Sequence, residues 1–434
     1  MMGFKKNIFA IICLFMLCLG CNKEPESPSA NHSTSGVKLY GTRYGNILKS
    51  FATTPDGGYM FGGYTNTSVT EGEQGFIQKS DKNGNRIWYQ EYGGVGVDLF
   101  NVVHPLTEGG FIAAGATMGS DGYKWDGFLV KTDLNGSIMW QKKFRNENGL
   151  QFYDVKETSD YGLVVVGFSS SNDPNPMYIL KTDQYGDSLW EQQIVQLQRN
   201  SIGASVTTSP NGEIAIAGLQ QRYDSISRNY PTFTYISPTG DLLFQRIYIN
   251  FGSLPWANNG NLWGNGRSWD YGYLNFEKII SRPDGFLFLM SSEPQALPDN
   301  AACLTCGNAL SATLFKIDFK GNIIWRHTFT GLGNGVTFND AVDNTSGGLL
   351  ISGGAFDASG VNYCWLLNTD ANGNRTSENF TPINGTSSWA AGAFNTGKSY
   401  AIGVTSLPLL INRVGFFSFL TTDLNGKIID QNKQ

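Results

Sequence analysis

The sequence predicts an all-β chain, a seven-bladed β-propeller of four-stranded antiparallel blades, on three observations. A unit of four short strands recurs seven times, and its best-kept stretch is Asp-x-x-Gly-x-x-x-Trp. It stands as Asp81/Gly84/Trp88, Asp133/Gly136/Trp140, Asp183/Gly186/Trp190 and Asp318/Gly321/Trp325. Looser copies are Ser237/Gly240/Phe244, Asp370/Gly373/Ser377 and Asp423/Gly426/Asp430. Second, a large residue follows each Gly-rich turn, at Tyr59, Phe111, Leu163, Ile214, Leu287, Leu349 and Tyr400, at intervals of 52, 52, 51, 73, 62 and 51 residues. Third, short apolar runs such as Leu163-Val-Val-Val-Gly recur, while long 3.6-residue periodicity is absent. Four short strands per repeat of this length point to a propeller.

The N-terminus comes first in chain order. Residues 1–20 read as an export signal: Lys5 and Lys6, an apolar run from Ile8 to Leu19, then Gly20. One reading is an ordinary secretory signal cut near Gly20. The other rests on Gly20-Cys21, which resembles the lipobox of bacterial lipoproteins, although Cys18 stands where that motif usually has Leu. The resemblance implies acylation of Cys21, a polar Pro/Ser tether over 21–36 and a lipid-anchored position at the outer membrane. Acidic Glu24 and Glu26 close behind the cysteine are as in some surface-export signals.

Residues 37–434 carry the blades. In each unit strand A precedes the Gly-rich turn, B follows it, C ends at the Asp, and D carries the Trp. Blade one is read as about Ile47 to Tyr92 and blade seven as about Ser387 to Asp430. Turns such as Pro55-Asp-Gly-Gly58 and Pro283-Asp-Gly285 use Gly for positive φ. In Asp-x-Asn-Gly the carboxylate is expected to accept amide hydrogens two residues on. An EF-type calcium loop would place Gly sixth and a Glu late, and here Gly is fourth. The Trp is expected to pack between neighbouring blades. Lys38-Leu-Tyr40-Gly41 imitates the strand-D tail Gln90-Glu-Tyr92-Gly93, so the N-terminal strand is expected to complete blade seven; Lys427-Ile-Ile429 is the competing candidate.

Composition narrows function. The formal charge is −5, from 31 basic and 36 acidic residues, and no basic stripe suggests nucleic acid. Three His leave little for a metal or acid–base site, and no Gly-x-Ser-x-Gly elbow or phosphate-cradling loop occurs. No cofactor or metal site is expected. In strand A of blade two, His104 lies far from His327 in the outer strand of blade five.

The repeat resembles that of quinoprotein-like (PQQ-type) propellers, with a turn shorter by one residue, and is similar to the Asp-box of sialidases. It is also similar to the propeller lipoprotein of the outer-membrane barrel-assembly machinery, which implies a non-enzymatic scaffold. These resemblances span 37–434 and imply fold. No motif here carries over the cofactor-stacking Trp and calcium site of the first, or the arginine triad and Tyr of the second.

The A–B and C–D turns share one face and are short. The long connections fall on the other: Leu219 to Pro231, Asn250 to Leu274 and Ser291 to Ser311. Long loops on a rigid scaffold commonly carry function. The middle one sets Trp256, Trp263, Trp269 and Tyr271 beside Arg267 and Asp270, a composition suited to sugar rings. The same aromatics would equally serve as the loop's private core. Lys49, Asn101, Asp154, Glu277, Asn339 and Asp340 are read near the start of strand A, at the same mouth. They form either a polar binding well or a solvated channel lining. Glu277 with Asp340 or Asp154 is the one conceivable carboxylate pair for glycoside chemistry. Cys303 and Cys306 are read as a local disulfide of an exported chain, rather than a redox pair or metal ligands. Gly307 excludes haem attachment. Cys364, in strand C of blade six, is expected to be buried.

The leading expectation is thus a monomeric, non-catalytic, lipid-anchored propeller that binds a macromolecule, a glycan first. An outer-membrane protein-assembly scaffold comes next, then a glycan lyase or hydrolase.

Overall fold

A computed structural model describes residues 33–34, 37–41, 45–68, 72–118, 124–147, 149–170, 174–195, 200–222, 228–248, 254–255, 276–292, 311–331, 333–357, 362–382, 386–408, 416–424 and 427–429. The strands form seven antiparallel sheets, six of them running A-B-C-D in chain order and the seventh taking its outer strand from the N-terminus. Blade one comprises Asn46–Thr53, Tyr59–Ser68, Gly72–Ser80 and Arg86–Tyr92. Blade two comprises Val97–Pro105, Phe111–Met118, Trp125–Thr132 and Ile138–Phe144. Blade three follows with Leu150–Glu157, Leu163–Ser169, Met177–Thr182 and Ser188–Ile194. Blade four is Ser201–Thr208, Ile214–Arg222, Arg228–Ile236 and Leu242–Ile247. Blade five is Phe276–Arg282, Gly285–Ser292, Ser311–Ile317 and Ile323–Thr330. Blade six is Gly333–Asp343, Leu349–Asp357, Asn362–Thr369 and Arg375–Pro382. Blade seven has Thr386–Asn395, Tyr400–Pro408 and Phe416–Thr422, and its fourth strand is the N-terminal Val37–Tyr40, with Ser33–Thr34 beyond it. Strand A of every blade touches strand A of the next, and blade seven touches blade one, so the ring is closed.

The N-terminal segment therefore wins the competition for the outer position. Val37 pairs with Leu420 and Tyr40 with Phe417, while the C-terminal candidate makes only an isolated bridge from Ile428 to Thr422.

The Asp turns behave as local chemistry dictates. Asp81 Oδ1 accepts the N–H groups of Asn83 (2.8 Å) and Asn85 (2.7 Å), and Gly84 takes φ of 75°. Asp133, Asp183, Asp318 and Asp370 repeat this, and the Ser237 hydroxyl keeps the second of the two bonds, accepting the Asp241 N–H at 2.9 Å. The Trp side chains reach across the seams as expected. Nε1 of Trp88, Trp140 and Trp190 donates to the carbonyls of Leu134 (3.1 Å), Gln184 (3.3 Å) and Pro238 (3.4 Å), each in the C–D turn of the following blade. Tyr92 and Tyr248 add bonds to Gly136 O (2.8 Å) and Gly321 O (3.0 Å). The seams beneath are apolar and fully buried, with Phe100 and Phe128 in one, and Phe338 and Trp365 stacked in another.

Two expectations need correcting. In blade five Phe286, not Leu287, occupies the column of Tyr59: Phe286 pairs with Ile317 as Tyr59 pairs with Ser80. The turn there is shorter, because Gly285 already pairs with Arg282. The second concerns Leu219 to Pro231. Much of it is strand, with Gln220 opposite Tyr230 and Arg222 opposite Arg228, so only 223–227 fall outside the described residues.

Candidate functional site

Every strand A carries a β-bulge. Register slips by one residue at Lys49, Asn101, Tyr153, Ala204, Glu277, Asn339 and Ala391. The sequence holds its signature: buried residues spaced by three instead of two, as in Leu48/Phe51, Phe100/Val103, Phe152/Val155 and Phe338/Ala341. In five of the seven blades strand B answers with Gly at the paired position, and Met290 and Val404 stand there in blades five and seven. A methyl group on Gly167 would meet the Gln151 carbonyl, and Gly63, Gly115 and Gly353 face equivalent carbonyls. The bulge lets seven strands crowd round one axis with added twist.

The bulge also aims polar side chains round the channel. Lys49, Asn101, Asp154, Asn339 and Asp340, read near the strand start, sit at mid-strand instead, while Glu277 is the second residue of its strand. Asn101 Nδ2 donates to Phe152 O (2.7 Å), and Asn339 Nδ2 to Ala390 O (2.6 Å). In blade one, Ser50 Oγ donates to Val103 O (3.0 Å). Asp154 Oδ2 accepts from Ser205 Oγ (2.8 Å) and Val206 N (2.9 Å), while its Oδ1 lies 3.4 Å from His104 Nε2. Ile279 N donates to Ser205 Oγ (3.3 Å). Lys278 Nζ donates to Asp340 Oδ1 and to Ala341 O (3.1 Å). The result is a belt in which each of these side chains bonds to an adjacent blade. Ser50, Ser205 and Lys278 are members that the sequence did not single out, and His104 finds in Asp154 a partner that the sequence did not suggest.

The belt's chemistry is cohesive. The side chain of Asp154 is 14% exposed. Burial works to raise its pKa, but the contact and charge of His104, the Val206 N–H and the Ser205 hydroxyl together hold the carboxyl below its ordinary value. Ser205 donates to a carboxylate and not to an imidazole, so the trio is not a serine–histidine nucleophile arrangement. The oxygens of Asp154 and the Oδ1 of Asp340 are engaged within the ring; the side chain of Glu277 lies outside what is described. Among the described residues no three His, Cys, Asp or Glu side chains converge as metal ligands would.

Replacing Asp154 by Ala is expected to cost about 2–4 kcal/mol, since it strands Val206 N–H and removes a charged acceptor from Ser205. The lowered pKa sets the pH dependence. Ionised Asp154 contributes its full stabilisation above the ordinary Asp range of about 3.9 and loses it as pH falls through the lower folded value. Chemical denaturation between pH 7 and pH 2.5 should therefore show a shallower acid limb for Asp154→Asn than for wild type. Identical slopes would mean that the carboxylate is not held in its charged form by the belt.

At the loop face, strands B and D end and strands A and C begin, as the Asn46–Thr65 and Gly75–Tyr92 pairs show. Leu254–Pro255 pairs with strand C of blade four at Asn229 and Arg228, beyond the end of strand D. The aromatic segment thus starts along the outer margin of blade four, on the loop face. Trp256, Trp263, Arg267, Trp269, Asp270 and Tyr271 lie outside the described residues, as do Cys21, Cys303 and Cys306. Cys364 is fully buried, and burial pushes its thiol pKa up. On the opposite face Arg282, Trp325 and Asp370 edge a small cleft between blades five and six, with room for about one water molecule.

No protein-family model matches the chain, and no curated protein does. Solved structures do. An ulvan lyase of family PL25 bound to -[GlcA(1-4)Rha3S]- aligns with a TM-score of 0.51 at 7% identity, covering 92% of this chain and 96% of that one. The polysaccharide lyase Uly1 gives 0.49 at 8%, covering 89% and 91%. Sqt1 from Chaetomium thermophilum gives 0.45 at 12%, covering 90% and 98%. The likeness is one of fold. The chain is a seven-bladed propeller, and its activity has to be argued from its own residues.

Proposed function

We propose that this propeller is a non-catalytic, lipid-anchored envelope protein that binds a glycan through the loop face of blades four and five. The observation that carries the reading is the pairing of Leu254–Pro255 on strand C of blade four. It anchors the start of a segment whose Trp, Tyr, Asn and Gly content suits sugar rings, on the face where the long connections leave the blades. Flat aromatic rings cover the apolar face of a pyranose while short polar groups meet its hydroxyls. The belt supports a binding role over a catalytic one, because Asp154 and Asp340 are tied to neighbouring blades. Cys21 would supply the anchor, and the following polar residues the reach.

The chain from Asn22 onward contains every described strand and is the form to test. On a broad glycan panel it should bind a defined set of sugars. Changing Trp256, Trp263 and Trp269 together to Ala should abolish that binding, by at least about tenfold in Kd, with an unchanged melting curve. Binding that survives the triple change would move the site off this segment, and a blank panel would sink the glycan reading. Metabolic labelling of the full chain with a radioactive fatty acid, lost in Cys21→Ser, tests the anchor separately.

A further inference from the structure

We propose that the seam between blades three and four binds a cluster of ordered water molecules through Ser201, Gln220, Thr232 and Gln245. The inference does not depend on glycan binding. Near the turn face this seam is apolar, with Val206, Ile214, Ile216 and Ile236 packed on Val164, Val166, Met177 and Ile179. Strand alternation then carries polar residues into the same seam toward the loop face. Ser201 lies opposite Gln220, Gln220 opposite Tyr230, Thr232 opposite Gly218 and Gln245 opposite Thr234. Gly218 confirms which way this layer faces: a methyl group there would lie 2.9 Å from the Met177 methyl of blade three and 3.0 Å from Thr232 Oγ1.

Ser201, Gln220 and Thr232 are each 1% exposed. Yet Ser201 Oγ, Gln220 Nε2, Thr232 Oγ1 and Gln245 Oε1 have no hydrogen-bond partner. Among the described residues eight buried side-chain atoms are in this position, and these four share one side of one blade. The others are divided between blades two and seven. Where Gln220 stands, blade one has Thr65, whose hydroxyl donates to Gly45 O at 2.7 Å, and blade two has Thr117, bonded to Lys143. Those blades settle the position internally and blade four does not.

Native folds rarely leave such groups unpaired. The four follow one another across strands A to D, Ser201 and Gln220 in one row and Thr232 and Gln245 in successive rows nearer the turn face, so several small partners in line, and not a single one, would reach them. The set is one amide donor, one amide acceptor and two hydroxyls that do either, with no charge. A neutral molecule that donates and accepts fits it, and in a closed seam that molecule is water, which commonly makes about three bonds.

The decisive experiment is a crystal structure of the chain from Asn22 at better than about 1.8 Å, beside thermal melts of Thr232→Val and Ser201→Ala. Ordered water bonded to at least two of the four atoms is expected. Both variants should lose a water and melt about 1–3 °C lower, because a buried water loses one of its partners. A seam without water, its side chains turned onto one another, would overturn the proposal. So would a rise in melting temperature for either variant, the mark of an unpaired hydroxyl removed. Ser201→Ala keeps the test alive if Thr232→Val does not fold.

Discussion

A chain that begins at Gly45 is expected to aggregate on expression, or to melt about 10 °C or more below the full propeller. Among the described residues, Val37–Tyr40 alone supplies the fourth strand of blade seven. Its loss bares the edge of Phe416–Thr422, whose Phe417, Phe419 and Leu420 are buried. An apolar, unpaired strand is a template for intermolecular pairing. Tyr40 concentrates the effect. It is 2% exposed, with its ring 5.4 Å from Phe61 in blade one and 5.2 Å from Phe417 in blade seven. Its hydroxyl donates to the Gly84 carbonyl, and Lys38 Nζ reaches Asn85 Oδ1 at 2.6 Å. One short strand therefore closes the circle from blade seven to blade one. Tyr40→Ala should cost about 3–5 kcal/mol, as for other buried aromatics. Tyr40→Phe, which removes one hydrogen bond, should cost about 1 kcal/mol. Urea melts of the two variants and light scattering of the truncated chain check this. A truncated chain that stays monomeric at the wild-type melting temperature would show that the ring does not need this strand.

Gly136→Val is expected to destabilise by about 3–5 kcal/mol, from two sources that can be separated. Gly136 takes φ of 81°, and a β-branched residue there is strained by about 1–3 kcal/mol. A Cβ at Gly136 would also lie 2.9 Å from the indole of Trp88 in the preceding blade, adding the cost of overpacking, about 1–3 kcal/mol. Gly57 provides the control. Its φ is 79°, but a Cβ there would meet nothing within 4 Å. Gly57→Val should therefore cost only the backbone strain of a β-branched residue, about 1–3 kcal/mol. Guanidinium melts of both variants decide the matter. Equal losses would mean that the indole seam adds nothing at this turn.

The turns were legible because their physics is local. Asp81, Asn83, Gly84 and Asn85 satisfy one another within five residues, so composition alone announces the turn. The seam role of Trp88 was legible for a related reason: a large aromatic at the same place in five of the seven units points to a repeated contact. Misreadings arose where pairing partners are not neighbours in sequence. Gln220-Gln-Arg222 and Arg228-Asn-Tyr230 look like loop residues by polarity, yet their backbones pair across a hairpin. Phe286 was displaced from its column because a shorter turn shifts the count by one residue, and in a strand one residue turns a side chain to the other face.

The channel shows the same division more sharply. Polar pairs such as Asn339-Asp340 and Tyr153-Asp154, set between buried residues three apart, announce a bulge through that spacing. Nothing local says that the Asp154 carboxylate will be met by Ser205 and Val206, some fifty positions further on. The sequence by itself determined the number of blades, their turn chemistry and the aromatic seams, since these follow from short-range hydrogen bonding and repeated burial. The tertiary structure alone decided which terminus closes the ring, and that the channel carboxylates bind neighbouring blades. Those outcomes rest on which strand edges and buried polar atoms meet when the ring closes, and a contact between distant segments exists only in the closed ring.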